Sequence, residues 1–316
     1  MIRYIVKRLV SSLPVIIVVA VFTFFLIHMV PGNPADVMLG SEATVEDVAE
    51  LTAKLGLDQP ITVQFFKWAT NCLKGDLGDS IFYDMPVTSV LLMKAEPTII
   101  IVIYAILVAL LTGVPLGIIS AVYRDKLPDR LCTAVSMIGI SLPGFLLGLL
   151  MILGFSIGLG WFPSVGYYTI KEVGFFKSVF YYLSLPAITL GIQRSASFAR
   201  VTRSAMLEVL DMDYIRTAKA KGLSQKVVIL KHGLKNAMGQ ILTQLGFSLA
   251  QLAAGTVVIE ALFNVPGMGQ IAYYALVRRD YPLVQGYILI IAVIYTIINL
   301  IVDISYKIFD PRIDLS

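Results

Sequence analysis

Charge is what this sequence has least of. Only 15% of its 316 residues are Asp, Glu, Lys or Arg, whereas 57% are hydrophobic and the mean hydropathy is +0.82. A soluble globular domain carries about 25% charged residues, so that class is all but excluded. Histidine is nearly as scarce, with His28 and His232 alone. No spacing of Cys, His, Asp and Glu resembles a metal site, and neither a metal nor any cofactor bound by this chain is expected. The two cysteines, Cys72 and Cys132, fall in segments expected on opposite sides of a membrane, so no disulfide is expected either. No G-x-x-x-x-G-K-[ST] is present, which excludes the usual phosphate-cradling loop. Any energised transport must then draw on an ion gradient or on another subunit. Repeats, low-complexity tracts and linkers are also missing, leaving residues 1–316 as a single membrane domain. Nor do two halves carry matching Gly/Pro-broken spans, the pattern that marks many secondary transporters.

What the chain has in quantity is uncharged length. A helix rising about 1.5 Å per residue needs about 20 apolar residues to cross roughly 30 Å of hydrocarbon. Six segments qualify: residues 9–30, 97–122, 132–159, 182–203, 236–260 and 281–303. The expected fold is therefore an all-α polytopic membrane protein. The third span stops where "GWFPSVG" (Gly160 to Gly166) reads as turn chemistry. The start "MIRYIVKRLV" is basic like a signal peptide, but its apolar run is longer than an h-region and no small-residue cleavage site follows, so it reads as a retained first span. With the N-terminus inside, 17 Lys and Arg fall in inner segments and 8 in outer ones. Cytoplasmic loops carry the excess, so both termini are expected in the cytoplasm.

The one large extramembrane segment, residues 31–96, is expected outside as a small helical cap. It is acidic, with ten carboxylates against four lysines, which reads as solvated surface or, alternatively, as a binding face. Thr44 followed by Asp47 resembles a capping box, Val48, Leu51 and Leu55 share a helical face, and Gly56 is a stop. A second helix should start at Pro60, carry Ile61, Phe65, Trp68 and Cys72 on one face, and end at Gly75.

Several local patterns invite functional readings. "GFSIG" (Gly154 to Gly158) matches the G-x-S-x-G nucleophile pattern, and His28 sits at a comparable depth to Ser156, which admits an intramembrane protease. The plainer reading is small residues packing a helix. "GMGQIA" (Gly267 to Ala272) mimics a dinucleotide loop without a preceding strand and reads as an outer turn. In the fifth span Gln240, Gln244, Ser248 and Gln251 recur every three or four residues, with Thr243 alongside. That stripe lines a pathway, or its amides tie helices together. Arg194, near the middle of the fourth span, is a gate or substrate contact, or it snorkels to the surface.

The densest positive charge lies in the inner segment 204–235, within "DYIRTAKAKGLSQKVVILKHGLKNA" (Asp213 to Ala237). It parses as two short helices. Asp213 is placed to cap the first, Lys219 and Lys221 suit its negative end, Gly222 supplies a left-handed stop, and Ser224 caps the second. Ala218 and Ala220 suit close docking into a groove. Charge alone would be explained by topology and lipid headgroups; the break at Gly222 points to a shaped element.

This stretch resembles the cytoplasmic "EAA" loop of ABC importer permeases, and more narrowly that of the dipeptide, oligopeptide and nickel permease group. Arg216, Thr217 and Ala218 stand where the consensus has Glu-Ala-Ala, Gly222 matches the family glycine, and His232 and Lys235 replace the Ile and Pro of the broad superfamily. The likeness extends along the chain through "MVPGNP" (Met29 to Pro34), "GDLGDS" (Gly75 to Ser80), "TRSAMLEVL" (Thr202 to Leu210), "VIEALFNVPGMG" (Val258 to Gly269), "DYPLVQG" (Asp280 to Gly286) and "DPRI" (Asp310 to Ile313). It implies the MetI-like permease fold of type I importers, of the first-permease type with its cap after span one. It implies as partners a sister permease, two ABC ATPases that hold ATP and Mg, an extracytoplasmic binding protein and the bilayer of a bacterial inner membrane, with no nucleic acid. The coupling residues it implies are Tyr214, Ile215, Arg216, Thr217, Ala218, Lys219, Ala220, Lys221, Gly222, Leu223, His232 and Asn236. Peptides, glutathione, nickel or its chelates and opines are all substrates compatible with the group. Stand-alone carriers or channels are the alternative class.

Overall fold

The computed structural model describes residues 2–29, 34–39, 43–54 and 56–309. "DPRI" with Arg312, the last residue of the first expected span (Val30), most of "MVPGNP", and Leu55 lie outside the described residues.

The chain is mostly helical. It opens with α1 (Ile2–His28), α2 (Pro34–Leu39), α3 (Val45–Lys54) and α4 (Ile61–Leu73). Two two-residue strands, β1 (Asp79–Ser80) and β2 (Met85–Pro86), pair antiparallel ahead of α5 (Val87–Val122). Then come α6 (Leu127–Ser141) and α7 (Gly144–Met151), the latter continuing as a π-helical stretch Ile152–Gly158. Short α8 (Ile170–Val173) and α9 (Phe175–Lys177) lead through a second π stretch, Ser178–Tyr182, into α10 (Ser184–Leu210). α11 (Asp213–Ala220) and α12 (Gln225–Val227) follow, and a third π stretch, Val228–Leu234, joins α12 to α13 (Lys235–Gly255). α14 (Val257–Leu262), α15 (Met268–Val277) and α16 (Tyr281–Phe309) complete it.

Among the described residues, three helices are long and apolar enough to cross a membrane, at Val6–His28, Val87–Val122 and Tyr281–Ser305, and by length and composition there are up to five spans if each of two bent pairs counts as one. The first bent pair replaces the straight third span expected over 132–159. α6 and α7 meet at 103°, because Pro143 lacks an N–H and pushes Leu142 into extended backbone at ψ 126°. The second pair breaks at Leu183 with a 55° bend. α10 therefore starts at Ser184 and runs seven residues past the expected end at 203. The fifth expected span divides at Thr256 into α13 and α14, and α13 is not among the apolar helices, its polar stripe lowering its hydropathy.

Two compact units emerge, Met1–Thr98 with Pro266–Thr296, and Ile99–Val265 with Ile297–Ser316. In the first, α3 starts as its sequence requires: Thr44 and Asp47 exchange bonds, Oγ1 to Oδ2 at 2.6 Å and Asp47 N–H to Oγ1 at 3.2 Å. Gly56 and Gly75 end α3 and α4 at φ +70° and +83°. Phe65 and Trp68 of α4 pack on Phe24 of α1 with ring centroids 5.3 Å apart. Burial, and secondarily the Asp76 carboxylate, pushes the Cys72 thiol up to about 11, leaving it inert near neutrality. "GDLGDS" and "DYPLVQG" turn out to be one knot. Buried Asp280 accepts the Ser80 hydroxyl and the Phe82 N–H at 3.2 Å, and its other oxygen caps α16 through the Leu283 N–H at 3.2 Å. The expected outer turn "GMGQIA" is instead the buried start of α15, whose Met268 N–H donates to Thr98 Oγ1 at 2.8 Å.

In the second unit the core is Ile101, Ala105, Leu185, Leu190, Phe198, Ile241, Leu252 and Phe263 with their neighbours, shared by α5, α10 and α13. α5 lies against α10 because Gly113 and Gly117 expose bare backbone. A Cβ on Gly117 would stand 2.6 Å from Ala199 O and from Thr202 Cβ, and one on Gly113 would meet Ser195 O. "GWFPSVG" is a turn segment, with Gly160 and Gly166 at positive φ. Ser156 sits on a π-helical turn, not on the strand-to-helix turn a G-x-S-x-G nucleophile requires.

Candidate functional site

The segment 204–235 folds as a helix, glycine, helix element. α11 ends in a Schellman arrangement: the Gly222 N–H donates to Lys219 O at 3.0 Å, the Leu223 N–H reaches back to Ala218 O at 3.4 Å, and Gly222 sits at φ +76°. Open space surrounds the position of a Gly222 Cβ, so the glycine is required by backbone conformation alone. The start differs from expectation. Met212 is the N-cap and Asp213 is the first helical residue, tied to Arg216 by an exposed pair at 3.4 Å, while its C=O accepts the Thr217 hydroxyl at 3.1 Å. Ser224 occupies the cap position of α12 without a side-chain cap bond, and α12 is one turn that unwinds into the π stretch.

α11 has two faces. Ile215 and Ala218 are buried at 0% and 7% exposure against Val228, Val209 and Leu210. The expectation that both are docking contacts is therefore corrected: spacing i, i+3 aims them at their own chain. Tyr214, Arg216, Thr217, Lys219, Ala220, Lys221, Gly222 and Leu223 are exposed. Partial burial raises the Tyr214 phenol above its ordinary pKa. His232 is half-buried in the π stretch, and Asn236 is exposed with its amide donating to His232 O at 2.6 Å.

The second constellation is the seam between α10 and α13. Arg194, eleventh of the 27 residues of α10, donates from Nη1 to Gln251 Oε1. Gln244 Nε2 donates to Ser197 Oγ and to Ser248 Oγ, both at 3.0 Å, and Gln240 Nε2 donates to Glu208 Oε2 at 3.1 Å. Ascending numbers on one helix meet descending numbers on the other, so the two run antiparallel. Gln240, Gln244 and Gln251 thus each bond to α10, while the Gln244–Ser248 bond lies within α13. Arg194 remains unusual, since its Nε is buried without a partner and no carboxylate lies within 4 Å of it among the described residues.

A third cluster escaped the sequence reading. Arg203 of α10 forks onto Asp129 of α6, Nε to Oδ1 at 2.8 Å and Nη2 to Oδ2 at 2.7 Å, while Ser120 of α5 donates to Asp129 Oδ1 and the Asp125 N–H to Oδ2 at 2.9 Å. Asp129 lies among Asp125, Lys126 and Arg130 in the sequence, with nothing there to single it out. The G-x-x-x-G of Gly113 and Gly117 is legible in the sequence. No group of His, Cys, Asp and Glu among the described residues is arranged to hold a metal.

Comparison with known proteins fits this geometry. Residues 113–315 match the family described as binding-protein-dependent transport system inner membrane component, and residues 1–88 match the N-terminal family of such membrane components. The glutathione transport system permease protein GsiC of Salmonella paratyphi A is 39% identical over 313 residues, covering 99% of each chain. A probable peptide ABC transporter permease protein, y4tP of Sinorhizobium fredii, is 41% identical over 310 residues and 98% of each chain. Among solved structures, an inward-facing MetNI methionine ABC transporter chain superposes with a TM-score of 0.58 at 18% identity, over 71% of this chain and 97% of that one. At that identity the likeness carries the fold alone.

Proposed function

The chain belongs to the binding-protein-dependent transport system inner membrane component family, and from that premise we propose how it works as the permease subunit of an ATP-driven importer. A sister permease completes the pathway, two ABC ATPases bind beneath it with their ATP and Mg, and an extracytoplasmic protein delivers the solute. The bent pairs α6 with α7 and α9 with α10 serve as the third and fourth spans and α13 as the fifth, giving six spans in a bacterial inner membrane. Both termini are cytoplasmic, residues 31–96 are the external cap, and residues 204–235 are the coupling loop. Substrates are peptides or peptide-like solutes, in keeping with the glutathione and peptide permeases it is similar to; Arg194 at the α10–α13 seam lies on the path.

The observation that carries this reading is the two-faced α11. Its inner face is fixed to the permease by Ile215, Ala218 and Val228, and its outer face presents Tyr214, Arg216, Lys219 and Lys221. Such an element moves with the spans as a rigid body when a partner pushes on its outer face. The test is site-directed cross-linking in the assembled complex, with single cysteines at Tyr214, Lys219 and, as the inward control, Ala218. Tyr214→Cys and Lys219→Cys should cross-link to an ATPase subunit and Ala218→Cys should not. Equal yields from all three, or none from the outer face, would reject the docking role.

A further inference from the structure

A cavity of about 430 Å³ opens between the last turns of α5, the middle of α6 and the C-terminal half of α10. Its chemistry is divided. Leu116, Met137 and Ala199 supply its apolar lining, Arg200, Arg203 and Ser204 the polar face of α10, and Ser120, Thr133 and Ser136 add hydroxyls from α5 and α6. Arg200, Arg203 and Ser204 stand at i, i+3 and i+4 on α10, so they share one helix face. Arg203 has its charge cancelled by Asp129, which is 4% exposed. Arg200 has no such partner: it is exposed, and no carboxylate lies within 4 Å of it among the described residues. Ser204 is exposed too, and its hydroxyl makes no hydrogen bond within the described chain. The cavity therefore carries one uncompensated positive charge and a free hydroxyl beside an apolar wall. On the outward face of α6, Leu131, Val135 and Ile138 are 57%, 59% and 60% exposed, as suits a helix that meets lipid.

We propose that this cavity binds the phosphodiester headgroup of an anionic phospholipid of the inner leaflet, with Arg200 and Ser204 holding the phosphate oxygens and the Leu116, Met137 and Ala199 wall taking the first acyl carbons. A guanidinium fork matches phosphate oxygens in geometry as well as charge. The Lys/Arg distribution that places the α5–α6 connection and the C-terminal half of α10 toward the cytoplasmic side also places them near anionic headgroups. Arg203, held rigid by Asp129, is the wall that positions the site, and Arg200 is the ligand. The inference rests on that membrane placement but not on the identity of the imported solute.

The test is native mass spectrometry of the intact importer with defined lipids. Phosphatidylglycerol should stay bound to the permease more tightly than phosphatidylcholine. Arg200→Gln should weaken its retention about tenfold, as expected for the loss of one charge-assisted contact, with a smaller effect for Ser204→Ala. Arg130→Gln removes an exposed charge near the start of α6, on the same expected side of the membrane, that does not line the cavity, and should change nothing. Equal losses for Arg130→Gln and Arg200→Gln would mean diffuse attraction and overturn the site. Displacement of the lipid by millimolar inorganic phosphate would assign the cavity to a free anion and overturn the lipid assignment. Release of the sister permease by Arg200→Gln would show a subunit contact there, and would equally overturn it.

Discussion

Asp129 and Arg203 show how a single pair constrains an apolar bundle. The Asp129 side chain is 6% exposed and Arg203 31%, so the carboxylate has given up water and depends on the fork from Arg203, the Ser120 hydroxyl and the Asp125 N–H. Removing one partner of such a pair leaves the other buried and uncompensated, which costs about 3 kcal/mol or more. Arg203→Gln should lower the unfolding stability of the purified complex by that order, and Asp129→Asn by somewhat less because exposed Arg203 atoms recover water. The double variant should lose less than the sum of the two. Singles within about 0.5 kcal/mol of wild type would mean the pair behaves as a surface bridge. None of this was legible from residue spacing, since Asp129 and Arg203 are 74 positions apart.

At the scale of elements, legibility depended on whether the cause was local. The Thr44 and Asp47 box, the stops at Gly56, Gly75 and Gly222, and the turn at "GWFPSVG" formed as read, because each is decided within a few residues by backbone φ or by one side-chain bond. The bend at Pro143 had a local cause as well, and an uninterrupted apolar run concealed it. What could not be read was direction. Ala218 looks like a docking residue in sequence, and only the packing of α11 on Val228 shows that it points inward. The span-five amides form a stripe in sequence, and only the register against α10 shows which side chains they bond to. The α5–α10 contact gives the prediction at this scale. Gly117→Leu cannot be accommodated where a mere Cβ already falls 2.6 Å from Ala199 O, so it should abolish recovery of monodisperse complex. Gly239→Ala on α13, with nothing within 4 Å of the added Cβ, should be recovered at wild-type yield. Normal assembly of Gly117→Leu would refute the close backbone approach of α5 and α10.

For the whole molecule, the central claim is that this chain is a passive pathway whose movement is driven from below through α11 and its glycine stop. The most direct measurement is uptake and ATP hydrolysis by proteoliposomes containing the chain with its sister permease, ATPases and binding protein, set beside proteoliposomes holding the chain alone. The complete assembly should take up peptide only with ATP, with hydrolysis stimulated by the loaded binding protein, and the chain alone should be inert. Gly222→Val, which places a β-branched residue at φ +76° and costs roughly 1–2 kcal/mol in backbone strain, should assemble poorly or hydrolyse ATP without uptake. Uptake down a gradient by the chain alone, or wild-type coupling in Gly222→Val, would contradict it.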